Sequence, residues 1–290
     1  MFRGVSTAIV TPFTRDNRVD EEALRRLVEF QEESGIGTIV PCGSTGEAAT
    51  LTHDEHMRVV EVVVDHAKRA KVVAGAGSNS TAEAVELSKR AEDIGVDGLL
   101  SISPYYVKPT QEGIYRHFEA IAASVGVPVI VYNVPGRTAS NITADTMVRM
   151  AGIEGICAVK EASGNLDQIK DIIGRRPKGF EVLSGDDAMT PALVRAGGDG
   201  VISVTSNCLP GKMGELVRLL LGGEDAAADR LAAELAPVFE ALFVETNPIP
   251  IKHVMSRLGY GTGAPRLPLT GLSEKGRAPV EAAMSNIGLW

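Results

Sequence analysis

The sequence predicts an α/β fold, namely a (β/α)8 TIM barrel with a small C-terminal helical extension. Eight short, β-branched apolar runs recur along the 290 residues, and a longer amphipathic stretch follows each of them. The runs are apolar throughout rather than alternating, as parallel strands covered on both faces should be. No G-x-G-x-x-G motif follows the first run, which disfavours a doubly wound sheet. The predicted strands are Val5–Thr11, Gly37–Pro41, Val72–Gly75, Gly98–Ser103, Val127–Tyr132, Ile156–Lys160, Glu181–Ser184 and Gly200–Val204.

The stretches between the runs predict helices, because their apolar residues recur at helical spacing. Asp20, Thr52 and Thr81 precede the first three helices and are predicted N-caps, since a side-chain oxygen there accepts from the first turn. Glu55, three residues beyond Thr52, completes a capping-box pattern. The clearest helices are Glu21–Glu33, His53–Ala67, Ala82–Ile94 and Gly113–Ser124.

After the eighth run the pattern changes to helices alone. The predicted helices are Gly211–Leu221, Asp225–Leu235, Val238–Val244, Ile251–Leu258 and Glu274–Asn286. The first of them completes the barrel, so the sequence predicts a barrel domain over residues 1–224 and a helical extension over residues 225–290. No low-complexity tract or long linker separates the two, and we expect the extension to pack on the barrel.

Composition excludes several classes of protein. The formal net charge is −8 and no cluster of Lys and Arg opposes it, which argues against a nucleic-acid or anionic-membrane partner. The three cysteines are far apart and show neither C-x-x-C nor zinc spacing, as expected of a cytoplasmic protein. We expect no membrane-spanning segment and no signal peptide, because no apolar stretch is long enough for either.

Lys160 is the first candidate for chemistry, because it closes the sixth predicted strand. Active sites of such barrels lie where the strands end. An amine there is poorly solvated, so its pKa should fall and the neutral form can attack a carbonyl to form a Schiff base. A lysine that pairs with a carboxylate at the barrel rim is the alternative, and position alone does not decide between the two.

Other strand ends carry candidate partners. Tyr132 closes the fifth strand, next to the sixth, and a phenol there can move protons during imine formation. Arg137 follows on the loop and offers a planar fork for a carboxylate, although a surface ion pair would also explain it. Ser44 and Thr45 lie between glycines after the second strand, so the backbone there can approach an anion while either hydroxyl donates to it. The same composition is also common in turns.

Motifs along essentially the whole chain resemble the dihydrodipicolinate synthase family, the pyruvate-dependent class I aldolase-type barrels that include N-acetylneuraminate lyase. The motifs are Ala8–Phe13, Gly43–Glu47, Pro104–Tyr106, Tyr132–Pro135, Val159–Ala162, Ser184–Asp187, Gly200–Thr205 and Asn247–Lys252. The resemblance implies condensation of pyruvate with L-aspartate 4-semialdehyde to 4-hydroxy-tetrahydrodipicolinate, on the route to lysine and diaminopimelate. A sister pyruvate aldolase or lyase, of the N-acetylneuraminate or 2-keto-3-deoxy sugar acid type, is the alternative.

The resemblance also implies a role for each site residue. Lys160 would form the imine with pyruvate, and Tyr132 would be the proton donor and acceptor. Ser44 would link Tyr132 to Tyr106, which reaches in from a neighbouring subunit. Ser44 stands where most synthases have threonine, and the hydroxyl is kept. The Schiff base serves as the electron sink, so we expect no metal and no organic cofactor.

Four further residues would bind substrate by the same resemblance. Thr45 would hold the pyruvate carboxylate, helped by backbone groups near Gly185 and Ile202. Arg137 would hold the carboxylate of the aldehyde or product. An arginine just after Tyr-Asn-Val-Pro is typical of the synthases, whereas a sialic-acid lyase usually lacks it.

The resemblance further implies a homotetramer built from two tight dimers, and a regulatory site for L-lysine at a subunit interface. Position 48 is alanine where the lysine-sensitive pattern often has serine. The candidate regulatory residues are Ala48, Ala49, His53, His56, Asn79, Glu83 and Tyr105.

Proteins of other classes would need different residues. A non-catalytic binding barrel would not need Lys160 and Tyr132 on adjacent strand ends. A metal-dependent aldolase needs His, Asp and Glu ligands at strand ends, and the sequence does not supply such a set. A phosphosugar isomerase needs a phosphate-binding loop after strands seven and eight, where Asp186 and Asp187 would instead repel phosphate.

Overall fold

A computed structural model describes residues 1–290 and shows a closed barrel of eight parallel strands. The strands follow one another around the barrel in sequence order, and the last pairs with the first. The predicted fold class is therefore confirmed. The strands are β1 Gly4–Ala8, β2 Thr38–Val40, β3 Lys71–Gly75, β4 Gly98–Ile102, β5 Val129–Asn133, β6 Ile156–Glu161, β7 Glu181–Ser184 and β8 Gly200–Ser203.

Twelve α-helices accompany the strands, most of them on the outside of the barrel. They are α1 Glu21–Glu33, α2 His53–His66, α3 Thr81–Ile94, α4 Gln111–Ala122, α5 Pro135–Thr138, α6 Ala144–Met150, α7 Leu166–Arg175, α8 Thr190–Arg195, α9 Pro210–Leu221, α10 Asp225–Ala241, α11 Ile249–Arg257 and α12 Glu274–Asn286. None of these helices is both long enough and apolar enough to cross a bilayer.

The strands are covered on both faces, by the helices outside and by side chains inside the barrel, so the protein has two apolar cores. The larger core lies between the barrel and its helices, and the smaller one fills the barrel interior. Phe2 belongs to the interior core, and its N–H donates to Glu181 Oε2 at the start of β7, 2.8 Å away. The N-terminal end of the barrel is therefore filled by side chains, and the opposite end remains for polar groups.

Closure of the barrel depends on a close approach between its first and last strands. Gly200 of β8 pairs with Gly4 of β1. A Cβ atom at Gly200 would lie 2.0 Å from the Gly4 carbonyl oxygen, which no side chain tolerates. Glycine at position 200 therefore lets the two strands meet.

The helix caps are confirmed for two of the three predicted residues. Asp20 accepts from the Ala23 N–H, and Thr52 forms the full capping box with Glu55. The prediction for the third helix is wrong, because Ser80 is its N-cap. The Thr81 hydroxyl instead bonds to His117 Nδ1 on α4, 2.9 Å away.

The extension differs from its prediction at one point. Asp225–Leu235 and Val238–Val244 were predicted as separate helices, but the single helix α10 runs through Pro237 to Ala241. A proline removes one backbone donor and distorts the ladder, and packing of α10 against α9 and α12 maintains the helix despite that loss. Helix α11 packs against α12 and against the turn that follows β8.

Candidate active site

A cavity of about 510 Å³ lies at the C-terminal end of the barrel, and three of the eight predicted catalytic and substrate-binding residues line it. The other five are not among its lining residues, namely Lys160, Thr45, Tyr106, Gly185 and Ile202. Ser44 from the loop after β2, Tyr132 from the end of β5 and Arg137 from α5 all line this cavity. Residues 246–248, just ahead of α11, line it as well. No group of three or more His, Cys, Asp or Glu side chains is arranged to hold a metal ion.

Lys160 lies beside Tyr132, because strand register pairs these two residues of β5 and β6. Its Nζ is 4.3 Å from the centroid of the Tyr132 ring, and the residue is 6% exposed. Burial lowers the pKa of the Lys160 ammonium to about 8; Asp187 opposes that shift and Arg137 adds to it. The predicted proximity of these two residues is confirmed, and Lys160 has the poorly solvated amine that Schiff-base chemistry needs.

Tyr132 is buried in the same interior core, and burial raises the pKa of its phenol. The positive charge of Arg137 and the hydroxyl of Ser44 act in the opposite direction. The phenol is therefore protonated at neutral pH. Arg137 and Ser44 would stabilise its anion once the proton has left. A phenol in this position can give up a proton and take it back.

Gly185 leaves room for the Lys160 side chain. A Cβ atom at position 185 would lie 3.1 Å from Lys160 Cε and 2.8 Å from Ala162 Cβ. The N–H of Gly185 donates to the Glu161 carbonyl at 2.8 Å, so it already has a partner. Ile202 belongs to the same interior core as Tyr132.

The Thr45 hydroxyl, on the loop after β2, is fixed by a hydrogen bond. Asn247 Nδ2 donates to Thr45 Oγ1 at 3.0 Å, and the Asn247 carbonyl accepts from Arg137 Nη2 at 3.1 Å. Asn247 therefore connects two predicted substrate-binding residues that are far apart in sequence. The sequence analysis gave Asn247 no role, because no local pattern shows that the segment before α11 reaches the cavity.

Most of the candidate regulatory residues line the same cavity. Six of the seven do so, and Asn79 does not: Ala48, Ala49, His53, His56, Glu83 and Tyr105. Glu83 accepts from the Ser78 hydroxyl and pairs with His53 Nε2 at 3.1 Å. His56 Nε2 lies 2.6 Å from the Gly75 carbonyl, and burial lowers its pKa, so this imidazole is a neutral donor.

The two tyrosines after β4 differ sharply. Tyr105 lines the cavity, whereas Tyr106 is 86% exposed and has a left-handed backbone with φ of 71°. Left-handed backbone is uncommon for a bulky residue and is typical of functional loops. Within this chain, the Tyr106 side chain points into solvent rather than toward Lys160.

Lys252 is a second buried lysine, which the sequence analysis placed at the end of a motif but gave no role. Its pKa is also lowered to about 8 by burial, but Lys252 Nζ forms an ion pair with Glu47 and donates to the Thr11 carbonyl at 3.0 Å. Lys160 has no such carboxylate partner. Of the two buried amines, Lys160 alone is left free to react.

Comparisons with known proteins point to one family. Residues 1–287 match the model of the dihydrodipicolinate synthetase family. A protein of Syntrophus aciditrophicus (strain SB), named 4-hydroxy-tetrahydrodipicolinate synthase, is 48% identical over 100% of this chain and 99% of its own length.

Two solved structures superpose closely on this chain. The dihydrodipicolinate synthase of Acinetobacter baumannii complexed with pyruvate superposes with a TM-score of 0.98, at 42% identity and full coverage of both chains. The enzyme of Cyanidioschyzon merolae with lysine bound superposes with a TM-score of 0.97, at 40% identity, over 100% of this chain and 99% of that one.

The pKa of Lys160 can be tested by chemical labelling. We expect a small amine reagent such as cyanate to modify Lys160 with a pH midpoint of about 8, because burial favours the neutral amine. Arg137→Gln removes a nearby positive charge and should raise that midpoint, whereas Arg195→Gln, which breaks a surface pair with Asp225, should not. Peptide mass spectrometry gives the labelled fraction, and an unshifted midpoint near the ordinary value of about 10.4 would contradict the assignment.

Proposed function

The chain belongs to the dihydrodipicolinate synthetase family, and we propose that it is a 4-hydroxy-tetrahydrodipicolinate synthase. This lyase condenses pyruvate with L-aspartate 4-semialdehyde in lysine and diaminopimelate biosynthesis. The single observation that carries the proposal is the buried, unpaired amine of Lys160 beside the phenol of Tyr132. The similarity to a pyruvate complex supports pyruvate as the first substrate.

The first step is imine formation. The neutral amine of Lys160 attacks the keto carbon of pyruvate, and the C–O bond breaks as water leaves. Tyr132 supplies a proton to the departing oxygen and accepts one from the nitrogen, which is general acid–base catalysis by one group. Burial of Lys160 supports this step, because the amine needs no strong base to become nucleophilic.

The second step makes the new carbon–carbon bond. The iminium draws electrons from the methyl group, which loses a proton and becomes the terminal carbon of an enamine. That carbon attacks the aldehyde, whose oxygen takes up a proton. The amino group of the adduct then attacks the imine carbon, closes the ring and releases Lys160. The protonated imine is the electron sink throughout, so we propose that no metal or organic cofactor takes part.

Two groups would hold the substrate carboxylates. Thr45 is proposed to bind the pyruvate carboxylate, together with backbone groups near Gly185 and Ile202. Arg137 donates one N–H to Asn247 and lies at the exposed edge of the cavity, which leaves further N–H groups for a second carboxylate. L-Aspartate 4-semialdehyde carries such a carboxylate at one end, and the chain of a sialic acid precursor instead carries hydroxyls. Arg137 therefore favours the synthase over an N-acetylneuraminate lyase.

The substrate can be established by a paired assay. We expect rapid pyruvate consumption with L-aspartate 4-semialdehyde, none with N-acetylmannosamine, and no loss of rate in EDTA. Borohydride with pyruvate should inactivate the enzyme and leave a reduced pyruvyl adduct on Lys160, while Lys160→Met should form no adduct and show no turnover. Turnover with the sugar alone would assign a sister aldolase, and an adduct on another lysine would overturn the Schiff-base assignment.

A proton relay across subunits is the second part of the proposal. We propose that Ser44 passes protons between Tyr132 and Tyr106 of a neighbouring subunit, within a homotetramer made of two tight dimers. The outward position of Tyr106 supports this arrangement, because an 86% exposed aromatic ring on a left-handed loop is available to a second chain.

We also propose a cytoplasmic location, in keeping with three free cysteines.

The relay predicts complementation between an impaired subunit and an inactive one. Tyr106→Phe should lower kcat by about tenfold or more, because one proton-transfer partner is lost, while Tyr115→Phe on α4 should not. Subunits carrying Tyr106→Phe, mixed with subunits carrying Lys160→Met, should regain activity, since each mixed dimer then contains one complete site. An unchanged kcat in Tyr106→Phe, or no recovery after verified subunit exchange, would make the relay assignment wrong.

L-Lysine is the proposed regulator. The cavity extends from Tyr132 to His53, Glu83 and Tyr105, and a relative has been solved with lysine bound. The Glu83 carboxylate can hold an ammonium, and the Tyr105 hydroxyl can donate to a carboxylate. Asn79, which does not line the cavity, has no place in this arrangement.

Inhibition can be tested by titration. The rate should fall as lysine rises to millimolar concentration. Glu83→Gln should abolish this sensitivity, because it removes the charge that pairs with the ammonium. Glu86→Gln, on the exposed side of the same helix, is the matched control and should respond like the wild type. No loss of rate at millimolar lysine would remove the proposal.

A further inference from the structure

A fully buried ion pair joins the loop after β2 to the C-terminal extension. Lys252 of α11 contacts Glu47 Oε1, and the two side chains are 3% and 1% exposed. The second oxygen of Glu47, Oε2, accepts from the Arg266 N–H at 2.9 Å. Glu47 is thus held from two separate parts of the extension, and its carboxylate has no contact with the solvent.

Phe13 extends the same cluster. Lys252 Nζ lies 3.8 Å from the centroid of its ring, and the Arg266 guanidinium lies 4.4 Å from the same centroid. Both distances fall within the range of cation–π attraction. The Thr11 hydroxyl, two residues earlier, donates to the Gly46 carbonyl at 2.7 Å. The loop residues around position 47 are therefore fixed by the β1 loop and the extension together.

The sheet itself gives this loop little support. Strand β2 has only three residues, Thr38–Val40, and Ser44 and Thr45 follow after Cys42, whose backbone is left-handed with φ of 55°. Glu47 is left-handed as well, with φ of 57°. Such backbones persist only where the surroundings hold them. Glu47 follows Thr45 by two residues, and its ion pair with Lys252 stabilises this left-handed backbone.

The extension also reaches Thr45 directly. Asn247 donates to the Thr45 hydroxyl from the segment that leads into α11, five residues ahead of Lys252. A shift of α11 would therefore move the partner of Thr45 and the partner of Glu47 together. The two contacts form one connection between α11 and the hydroxyl proposed to bind pyruvate.

We infer that Lys252 and Glu47 are positioning residues for the reaction, which fix the loop of Ser44 and Thr45 against α11 so that the Thr45 hydroxyl meets the pyruvate carboxylate. This inference rests on the proposed function for the identity of the substrate. Stability alone does not require the pair, because a buried ion pair can often be replaced by uncharged side chains of similar size without loss of stability. A misplacement of about 1 Å in a binding group is enough to slow catalysis strongly.

The test removes both charges at once. Lys252→Met alone would leave Glu47 charged and unpaired in the interior and is expected to fold poorly. The paired variant Glu47→Gln/Lys252→Met keeps both side chains close to their original size. The side-chain amide oxygen introduced at position 47 can still accept from the Arg266 backbone N–H. We expect this variant to fold, to raise the KM for pyruvate by about tenfold and to lower kcat as Ser44 shifts. The matched control is Glu281→Gln, which breaks the contacts of His253 and Arg257 between α11 and α12 but leaves the loop contacts intact.

A double-mutant cycle with Thr45→Val separates positioning from general loosening. If the pair acts through Thr45, the paired variant should raise the KM for pyruvate much less in the Thr45→Val background than in the wild type. Three results would each overturn the inference. The first is that the paired variant raises the KM for pyruvate by the same factor in the Thr45→Val background as in the wild type. The others are an unchanged KM in the folded paired variant and an equal rise in KM caused by Glu281→Gln. The rate of borohydride trapping with pyruvate gives the same comparison without any aldehyde, so a wrong second substrate would not be mistaken for failure of the positioning role.

Discussion

The amine of Lys160 stands at the end of a barrel filled with apolar side chains, where little water reaches to solvate a positive charge. Removing that solvation lowers the pKa of the ammonium to about 8. Asp187 opposes the shift, and its own burial raises the pKa of its carboxyl. The rest of the site accompanies this condition: Gly185 leaves space for the side chain, and strand register places the phenol of Tyr132 beside the amine.

Lys252 shows why enclosure alone does not make a nucleophile. It is buried as deeply as Lys160 and has the same lowered pKa, yet Glu47, the Thr11 carbonyl and the Phe13 ring occupy its surroundings. An ammonium with three such partners is satisfied, and attack on a carbonyl would require breaking them. Lys160 has an aromatic neighbour and no carboxylate partner, so forming a bond to carbon costs it far less.

The parts of this structure that follow local rules were predictable from the sequence. Continuous apolar runs gave the strands, and the adjacency of consecutive strands placed Tyr132 beside Lys160. Where two local signals competed, the prediction went wrong: Ser80 caps the third helix while Thr81 turns to His117. Contacts between distant segments could not be predicted. Nothing in the residues around Asn247 or Lys252 indicates that they meet positions 45 and 47.

The positions of the site residues are therefore determined in two different ways, by strand register and by contacts with the helical extension. Lys160 and Tyr132 are fixed by strand register, which the hydrogen bonds of the sheet determine. Ser44 and Thr45 lie beyond a short strand on a loop with two left-handed residues, and the sheet cannot determine their position. The helical extension supplies the missing constraint through Asn247, Lys252 and Arg266. The proposed reaction needs the loop hydroxyls and the strand amine at fixed positions relative to each other, and on that proposal the extension is part of the catalytic architecture rather than an appendage to the barrel.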